Sequence, residues 1–391
     1  MNAPQNAAGP LAGLKVLELG QLIAGPFAGK FLADFGADVV KVEPPGDAKG
    51  KGGDPIRYWR KLHQGTSLWW HVQSRGKKSV TLNLRSPEGQ AVARELAAEA
   101  DIVIENFRPG TLERWGLGYE DLARQNPGLI MLRISGFGQT GPMRDQAGFG
   151  AIAESMGGMR YVTGFPDRPP VRMNLSIGDG IAALHGVVGV LMALHHKTRT
   201  GEGQIVDVAL YEAVFNMMEA TLPEHDYDGA VRERTGTGLT GIVPSNTYTS
   251  KDGVHIVIGG NGDSIFKRLA QAMGREDWVN DPDLADNTGR VRRTQELDDG
   301  IGAWCAAHDA ALLFSALDAA QVPNGKTYSI ADIVADPQYQ ARGMIETITL
   351  DDGRKLKVPG VVPKLSKTPG KVRGRGPKLG EHNGRGFGEA T

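Results

Sequence analysis

The chain has 391 residues, and its 44 lysines and arginines are balanced by 45 aspartates and glutamates, which leaves a net charge of −1. This balance argues against a nucleic-acid-binding protein and against a basic membrane anchor. The single cysteine, Cys305, excludes an internal disulfide and is typical of a reducing compartment. We therefore expect a cytoplasmic protein in which this thiol is buried. Met1–Ala8 lacks the pattern of a secretory signal, and the longest strongly apolar run, 187–194, is too short to span a bilayer.

The first third of the chain alternates β-rich runs with helical patterns, which predicts a parallel sheet with helices on its faces. Strands are predicted at Leu14–Leu19, Asp38–Glu43, Ser79–Leu84, Asp101–Glu105 and Leu129–Ile134. Helices are predicted at Pro26–Phe35 and from Pro87 to Glu99, the second capped by Ser86. Because ligands bind beyond the carboxyl ends of such strands, the candidate binding loops are 20–25, 44–61 and 106–110.

Asp179 precedes an apolar run that reaches His195 without another acidic or basic side chain besides histidine, which predicts a helix buried on all sides. A carboxylate at the N-terminus of such a helix meets free backbone amides that favour its ionised form. The residues alone favour a simple capping role for Asp179 over the alternative, a nucleophile in a cavity. A strand is predicted after this helix, at Ile205–Tyr211.

A change of composition near Pro223 predicts a second domain. Glu224–Gly241 is polar and contains glycines, and we interpret it as a connecting segment. Beyond it, strands are predicted at Asn246–Thr249 and Val254–Ile258, and helices near Ser264–Met273, Thr294–His308 and Ala310–Ala320. We expect a large domain in residues 1–222, a linker and small domain in 223–325, and a C-terminal segment, 326–391, that returns to the large domain.

Some motifs in the chain fit a simpler interpretation than a binding site. Gly236-Thr-Gly-Leu-Thr-Gly241 fits the dinucleotide pattern G-x-G-x-x-G, but a strand follows it instead of a helix, so a flexible glycine loop is the better interpretation. The histidines lack metal-ligand spacing, and no metal site is predicted.

Two loops combine tryptophans with basic residues, which could hold a phosphorylated adenine compound, although an ordinary solvated surface is favoured. These residues are Arg57, Arg60, Lys61, Arg75, Lys77 and Lys78, with Trp59, Trp69 and Trp70.

A series of short segments occurs in order along nearly the whole chain: Leu14–Leu19, Ala24–Pro26, Leu32–Glu43, Lys77–Ser79, Glu105–Gly110, Gly116–Tyr119, Ser135–Pro142, Thr200–Gln204 and Leu379–His382. As an ordered set they resemble the family III CoA-transferases, also called the CaiB/BaiF family. Within it, the chain looks most similar to bacterial enzymes that pass CoA from succinyl-CoA to a dicarboxylate such as glutarate, or to 3-sulfinopropionate. The resemblance implies an α/β fold with a Rossmann-like large domain and a smaller α+β domain. It also implies an interlocked, ring-like homodimer that has coenzyme A and acyl-CoA as substrates and no permanently bound cofactor.

The resemblance makes Asp179 the nucleophile, in place of a simple cap, and implies covalent catalysis through an aspartyl anhydride and an aspartyl-CoA thioester. A loop containing Gly236, Gly238 and Gly241 is implied to cover the site and exclude water. Gly76 stands where the family often has Asn. The implied CoA-binding residues are Gln21, Leu22, Ile23, Ala24, Arg75, Lys77, Lys78, Asn106, Phe107 and Arg114.

Two other functions remain as alternatives. The α-methylacyl-CoA racemases of the same family use a histidine in a segment Ala-Gly-His-Asp, whereas this chain has Ala147-Gly-Phe-Gly150. Phe149 cannot transfer a proton, which favours CoA transfer over isomerisation. A non-catalytic CoA-binding protein would require Asp179 to be dispensable. A dicarboxylate-like acceptor needs a cationic partner, for which Arg160 and Arg172 are candidates, and these arginines are equally compatible with structural ion pairs.

Overall fold

The computed structural model describes residues 9–47 and 50–388. Met1–Ala8, where no secretory signal is expected, lies outside these residues. The chain forms two compact units. The first contains the residues up to Met159, Met173–Glu219 and the residues from Pro337; the second contains Arg160–Arg172 and Ala220–Asp336. The chain therefore leaves the first unit twice and returns to it twice.

The strands are β1 (Lys15–Glu18), β2 (Asp38–Glu43), β3 (Leu62–His63), β4 (Thr66–Ser67), β5 (Lys77–Thr81), β6 (Ile102–Glu105), β7 (Ile130–Ser135), β8 (Ile205–Ala209), β9 (Ser245–Thr249), β10 (His255–Gly259), β11 (Asn324–Lys326), β12 (Ile345–Thr349) and β13 (Lys355–Pro359). The α-helices are α1 (Ala24–Asp34), α2 (Leu68–Gln73), α3 (Pro87–Glu99), α4 (Thr111–Arg114), α5 (Tyr119–Ala123), α6 (Gly150–Met156), α7 (Ile177–Thr200), α8 (Leu210–Phe215), α9 (Thr221–Asp228), α10 (Asp263–Ala272), α11 (Glu276–Val279), α12 (Asn287–Arg292), α13 (Thr294–Ala307), α14 (Ala310–Ala319), α15 (Ile330–Ala335) and α16 (Pro337–Ala341). Two short 3₁₀ turns lie at Pro55–Tyr58 and Pro282–Leu284.

A six-stranded sheet with the order β5-β2-β1-β6-β7-β8 organises the first unit, and all its neighbouring strands are parallel. The predicted parallel sheet is therefore confirmed. Leu32 of α1 and Val190 of α7 pack on one face of this sheet, and Ala93 of α3 packs on the other. Because the strand order reverses between β1 and β6, a ligand is expected to bind beside the loops that follow these two strands, as in other open α/β sheets.

Strand β5 begins two residues earlier than the sequence predicts and ends at Thr81 instead of Leu84. Lys77 and Lys78 lie outside the predicted strand, and lysine side chains are rarely buried in strands. In the structure both side chains are buried and paired with carboxylates, so the strand can include them. The predicted cap of α3 is confirmed, since the Ser86 side chain accepts a hydrogen bond from the backbone N–H of Gly89.

Helix α7 begins at Ile177, with Ser176 as its N-cap residue, so Asp179 lies in the first turn and is not the cap. The prediction that this helix is buried on all sides is wrong. Leu184, Val188, Leu191 and Met192, spaced along one face, are 44%, 50%, 42% and 68% exposed, while the opposite face packs against β7 and β8. By length and composition alone the helix could cross a membrane, with a mean hydropathy of 1.8, a property that it shares with core helices of globular proteins.

The second unit contains a three-stranded antiparallel sheet with the order β11-β10-β9 and several helices, which confirms a smaller α+β unit. Ile256 of β10 and Ile301 of α13 lie in its core. Cys305 is buried there as expected, and burial raises the pKa of its thiol to about 11. The interpretation of 224–241 as connecting segment is wrong for its first part, because α9 extends to Asp228.

Candidate active site

The loop after β1 and the loop after β6 are joined by a reciprocal pair of hydrogen bonds. The backbone N–H of Gln21 donates to Oδ1 of Asn106 at 2.8 Å, and Nδ2 of Asn106 donates to the carbonyl of Gln21, also at 2.8 Å. A β-carbon on Gly20 would lie 2.8 Å from Oδ1 of Asn106, so the absence of a side chain permits this close approach. Two of the residues predicted to bind CoA therefore meet at the strand-order reversal, where a ligand crevice is expected.

Leu22, in the same loop, has a φ of 65°, a left-handed conformation that is unfavourable for a leucine. Its backbone N–H lies 3.0 Å from each carboxylate oxygen of Asp54, which also caps the turn at Pro55–Tyr58. The carbonyl of Ile23 accepts a hydrogen bond from Nε2 of Gln73 at 2.8 Å. Such strain persists only where surrounding contacts enforce it, and these contacts hold the loop in one shape.

A fully buried lysine, Lys41, lies beneath this loop. Its Nζ is 3.0 Å from Glu18, 2.9 Å from Asp54 and 2.8 Å from the carbonyl of Gly20. Burial alone would lower the pKa of Lys41, but the nearby carboxylates, Asp54 first among them, hold it above its ordinary value. Burial likewise opposes ionisation of Asp54, and Lys41 holds the pKa of that carboxyl below its usual range. The network is therefore charged, and it supports the loop from below.

Lys77 belongs to the same network, with its Nζ 2.7 Å from Glu18 and 2.7 Å from the carbonyl of Pro26. Burial lowers the pKa of Lys77 to about 8, although Glu18 opposes this shift. Arg75 is also fully buried and forms a two-point ion pair with Asp34 at 2.9 and 2.7 Å. The charged groups of Lys77 and Arg75 are already paired inside the first unit. The role of both residues in CoA binding remains a prediction.

The favoured interpretation of the basic cluster as a solvated surface is wrong for four of its six members. Lys78 pairs with Asp38 at 3.0 Å, and Arg57 pairs with Glu43 at 2.7 Å. Lys78 and Arg57 are buried, as are Arg75 and Lys77. Arg60 and Lys61 are exposed. The sequence could have indicated this division, because Lys41, Glu43 and Glu18 all interrupt predicted apolar strands and imply buried partners.

Phe107 and Arg114 follow β6 together with Asn106. The Phe107 ring packs edge-on against Trp115, with ring centroids 5.5 Å apart, and its backbone N–H donates to Glu105 at 2.7 Å. Burial raises the pKa of Glu105 to about 7, although Arg133, with Nε 2.7 Å away, opposes this shift. Arg114 is exposed and donates to Thr111 at 3.1 Å.

Asp179 is half-buried, and its carboxylate lies directly against the first turn of α6. A β-carbon on Gly150 would be 2.2 Å from Oδ2 of Asp179 and 2.8 Å from its Cγ. One turn further along α6, the buried Glu154 accepts a hydrogen bond of 3.5 Å from the backbone N–H of Gly178. Asp179 is the acidic residue in the first turn of α7, where backbone amides are not engaged in the helix's own hydrogen bonds. Glu154 was not predicted from the sequence, and Gly150 was noted only as the last residue of the segment 147–150 that lacks the racemase histidine.

The remaining candidates lie in the second unit. In the glycine loop, Gly236 has a φ of 70° and donates to the carbonyl of Gly164 at 2.9 Å. The carbonyl of Gly241 accepts from Nδ2 of Asn287 at 2.8 Å, and that of Gly238 accepts from the Thr235 hydroxyl at 2.8 Å. The loop is therefore anchored on both sides. Arg160 and Arg172 begin and end the other segment of this unit.

A family model described as CoA-transferase family III matches residues 11–383 of the chain. The chain is 52% identical over 375 residues to the succinyl-CoA–D-citramalate CoA-transferase of Chloroflexus aurantiacus, and the match covers 96% of this chain and 92% of that protein. It is 42% identical over 378 residues to the beta subunit of the succinyl-CoA–L-malate CoA-transferase of the same organism, with 95% and 92% covered. The fold is similar to the crystal structure of a CaiB/BaiF family protein from Brucella suis, with a TM-score of 0.82, 35% identity, and 96% and 98% of the two chains covered.

Proposed function

The chain belongs to CoA-transferase family III and is a CoA-transferase, and we propose that it passes CoA from succinyl-CoA to a short dicarboxylic acid by covalent chemistry at Asp179. The observation that carries this proposal is the position of the Asp179 carboxylate, half-buried in the first turn of α7 and in van der Waals range of Gly150. The helix amides stabilise the carboxylate as an anion, and a partly buried anion is poorly solvated and can act as a nucleophile.

The reaction proceeds in four exchanges. A carboxylate oxygen of Asp179 attacks the thioester carbonyl of succinyl-CoA, the C–S bond breaks, and CoA leaves as a thiolate with a mixed anhydride on the enzyme. The thiolate then attacks the aspartyl carbonyl and releases succinate, which leaves an aspartyl-CoA thioester. The acceptor carboxylate attacks this thioester, the C–S bond breaks, and CoA leaves again as a thiolate with a second anhydride on the enzyme. The thiolate finally attacks the acceptor's acyl carbonyl, which gives the new acyl-CoA and restores Asp179. Acyl bonds of similar energy are exchanged, so no ATP is consumed.

The names of the relatives indicate the class of acceptor. D-citramalate and L-malate, the acceptors named for two similar proteins, are short dicarboxylates that carry a hydroxyl group. We place this chain in the same class, with glutarate and 3-sulfinopropionate as the further acceptors to be compared. Phe149, 68% exposed at the start of α6, has no group that accepts or donates a proton, which supports CoA transfer over racemisation.

In this proposal two copies of the chain assemble as an interlocked, ring-like homodimer, and the loop 236–241 excludes water from the anhydride. The stripe of Leu184, Val188, Leu191 and Met192 supports self-association, because a continuous apolar face on a surface helix is typical of an interface.

The proposal is tested by CoA transfer from succinyl-CoA to D-citramalate, L-malate, glutarate and 3-sulfinopropionate, with the wild type compared with Asp179→Ala and Asp179→Asn. We expect transfer by the wild type and at least a 1,000-fold loss in both variants, on the scale of losing a covalent nucleophile. Mass spectrometry after quenching should detect CoA attached to the wild type and not to the variants. Equal transfer by all three proteins would contradict the assignment of Asp179.

A further inference from the structure

A cavity of about 310 Å³ lies beside the start of α7. Its walls are formed by Arg60, Lys61, Leu68, Trp69, Leu175 and Ser176. Ser176 is the N-cap residue of α7, and Asp179 follows three residues later. Residues three apart at a helix start share one side of the helix, so the cavity adjoins the turn that carries the nucleophile.

Two cations in this wall have no carboxylate partner among the residues that the structure describes. Arg57, Arg75, Lys77 and Lys78 each pair with a buried or half-buried carboxylate. Within residues 9–47 and 50–388, by contrast, neither Arg60 nor Lys61 forms an ion pair or a side-chain hydrogen bond. The cavity therefore has positive charge available for an anionic ligand.

Arg60 is held in a defined place, unlike most surface arginines. Its φ is 58°, a left-handed conformation that is costly for a residue with a β-carbon. Its guanidinium carbon lies 4.6 Å from the centroid of the Trp69 ring, which in turn packs at 6.2 Å from the Trp59 ring. The carbonyl of Lys61 accepts a hydrogen bond of 2.9 Å from the backbone N–H of Leu68. Stacking and strain together order the guanidinium before any ligand binds, which lowers the entropic cost of binding.

From this arrangement we infer that Arg60 and Lys61 bind the second carboxylate of the dicarboxylic acyl group, the one that does not react with Asp179. The inference rests on the proposed function and names the residues that select its substrate. A volume of about 310 Å³ is at the lower limit of small-ligand sites and accommodates a short acid, whereas it is too small for a whole CoA molecule. An arginine fork suits a planar carboxylate, and the neighbouring lysine adds a second charge.

The same cations could instead meet a phosphate group of CoA, and the experiment separates these two sources of negative charge. Steady-state transfer is measured for wild type, Arg60→Ala, Arg60→Lys and Lys61→Gln. The acids are succinate and its monocarboxylate counterpart butyrate, and the thioesters are succinyl-CoA and butyryl-CoA. Arg85→Ala, a change of an exposed arginine in the first unit, serves as the control. Calorimetric binding of succinate to each protein is measured in parallel, without any CoA present.

We expect Arg60→Ala to raise KM for succinate and succinyl-CoA about tenfold, which corresponds to about 1.4 kcal/mol. KM for butyrate and butyryl-CoA should change less than twofold, kcat should be preserved within about threefold, and Arg60→Lys should recover part of the loss. Equal increases of KM for succinyl-CoA and butyryl-CoA would show a phosphate contact and overturn the inference, as would unchanged kinetics. If the wild type transfers no CoA, the proposed function fails, and the calorimetry then decides: weaker succinate binding by Arg60→Ala supports the inference, and equal or absent binding in both proteins overturns it.

Discussion

The Asp179 carboxylate occupies the space that a side chain at position 150 would need, since a β-carbon on Gly150 would lie 2.2 Å from Oδ2. A carbon and an oxygen that are not bonded do not approach each other this closely. The atoms that a β-carbon at position 150 would meet are those of the Asp179 carboxylate itself. Gly150→Ala should therefore rotate or displace the Asp179 carboxylate while the fold is kept. We expect kcat to fall about 100-fold, because misplacement of a reacting group by about 1 Å has an effect of that size.

Gly302→Ala is the matched control for this prediction. Gly302 is also helical, and a β-carbon there would meet only Tyr248, at an ordinary 3.9 Å. Activity should be unchanged in this variant, and thermal melting should be similar for both variants and the wild type. An active Gly150→Ala protein would show that the carboxylate reaches its reactive position by another route.

Asp54 should be important for both stability and CoA binding, although its side chain is buried beneath the loop that follows β1. In Asp54→Asn the buried Lys41 loses one of its two close carboxylates, and Leu22 loses one of its two hydrogen-bond acceptors. We expect the free energy of unfolding to fall by about 3 kcal/mol, the usual cost of breaking a buried ion pair. KM for acyl-CoA should rise as the loop loosens. Urea denaturation and transfer kinetics measure the two effects.

The sign of the pH dependence follows from the direction of the shift. The pKa of Asp54 is below its ordinary value in the folded protein, so its contribution to stability is complete above the ordinary pKa and is lost as the pH falls through the folded value. The difference in stability between wild type and Asp54→Asn should thus narrow on acidification. Asp145→Asn, a change at an exposed carboxylate, should show neither the loss of stability nor the rise in KM.

The parallel sheet and the α3 cap were predictable because each depends on local periodicity and on a few strong signals, whereas the order of the strands in the sheet was not predicted. The strand patterns predicted the sheet, Ser86 before Pro87 predicted the cap, and the meeting of Gln21 with Asn106 follows from strands that end at one edge. The partners of charged residues were not predictable. Lys77 and Glu18 are far apart in sequence, and only the folded sheet brings their charged atoms to 2.7 Å.

Helix α7 is buried on one face and exposed on the other, and this difference could not be predicted from its sequence. An apolar helix that contains no charge from Gly180 to Leu194 has the same composition whether its outer face meets its own domain or another chain. The hydrophobic pattern therefore predicted burial, and the fold of one chain leaves Val188 and Met192 exposed.

Glu105 should make stability depend on pH in the opposite sense to Asp54. With a pKa of about 7 in the folded protein, Glu105 holds its proton between its ordinary pKa of 4.5 and about 7, whereas the unfolded chain does not. The folded state binds more protons in this window, so the free energy of unfolding should fall as the pH rises through it. In Glu105→Gln this contribution is absent. Urea denaturation of both proteins from pH 4.5 to pH 7.5 compares the slopes, and parallel curves would contradict the prediction.

Val188→Glu should disrupt self-association. The side chain is 50% exposed at the middle of the apolar stripe, and a buried, unpaired carboxylate in an interface is strongly unfavourable. Sedimentation velocity should detect dimers of the wild type and monomers of the variant. Thr198→Glu, at the exposed C-terminal end of the same helix, should remain dimeric. If the wild type is a monomer, the exposed apolar stripe no longer supports a homodimer.

The tail of the chain has a consequence for biosynthesis. The carbonyl of Pro377 accepts hydrogen bonds from Arg57 and Trp70, and the backbone N–H of His382 donates to the carbonyl of Ser79. Translation therefore has to reach residue 382 before Arg57, Trp70 and Ser79 all gain these contacts, whereas every residue of the second unit has been made once translation passes Asp336. During translation the second unit can therefore fold before the first unit gains the contacts of its C-terminal segment.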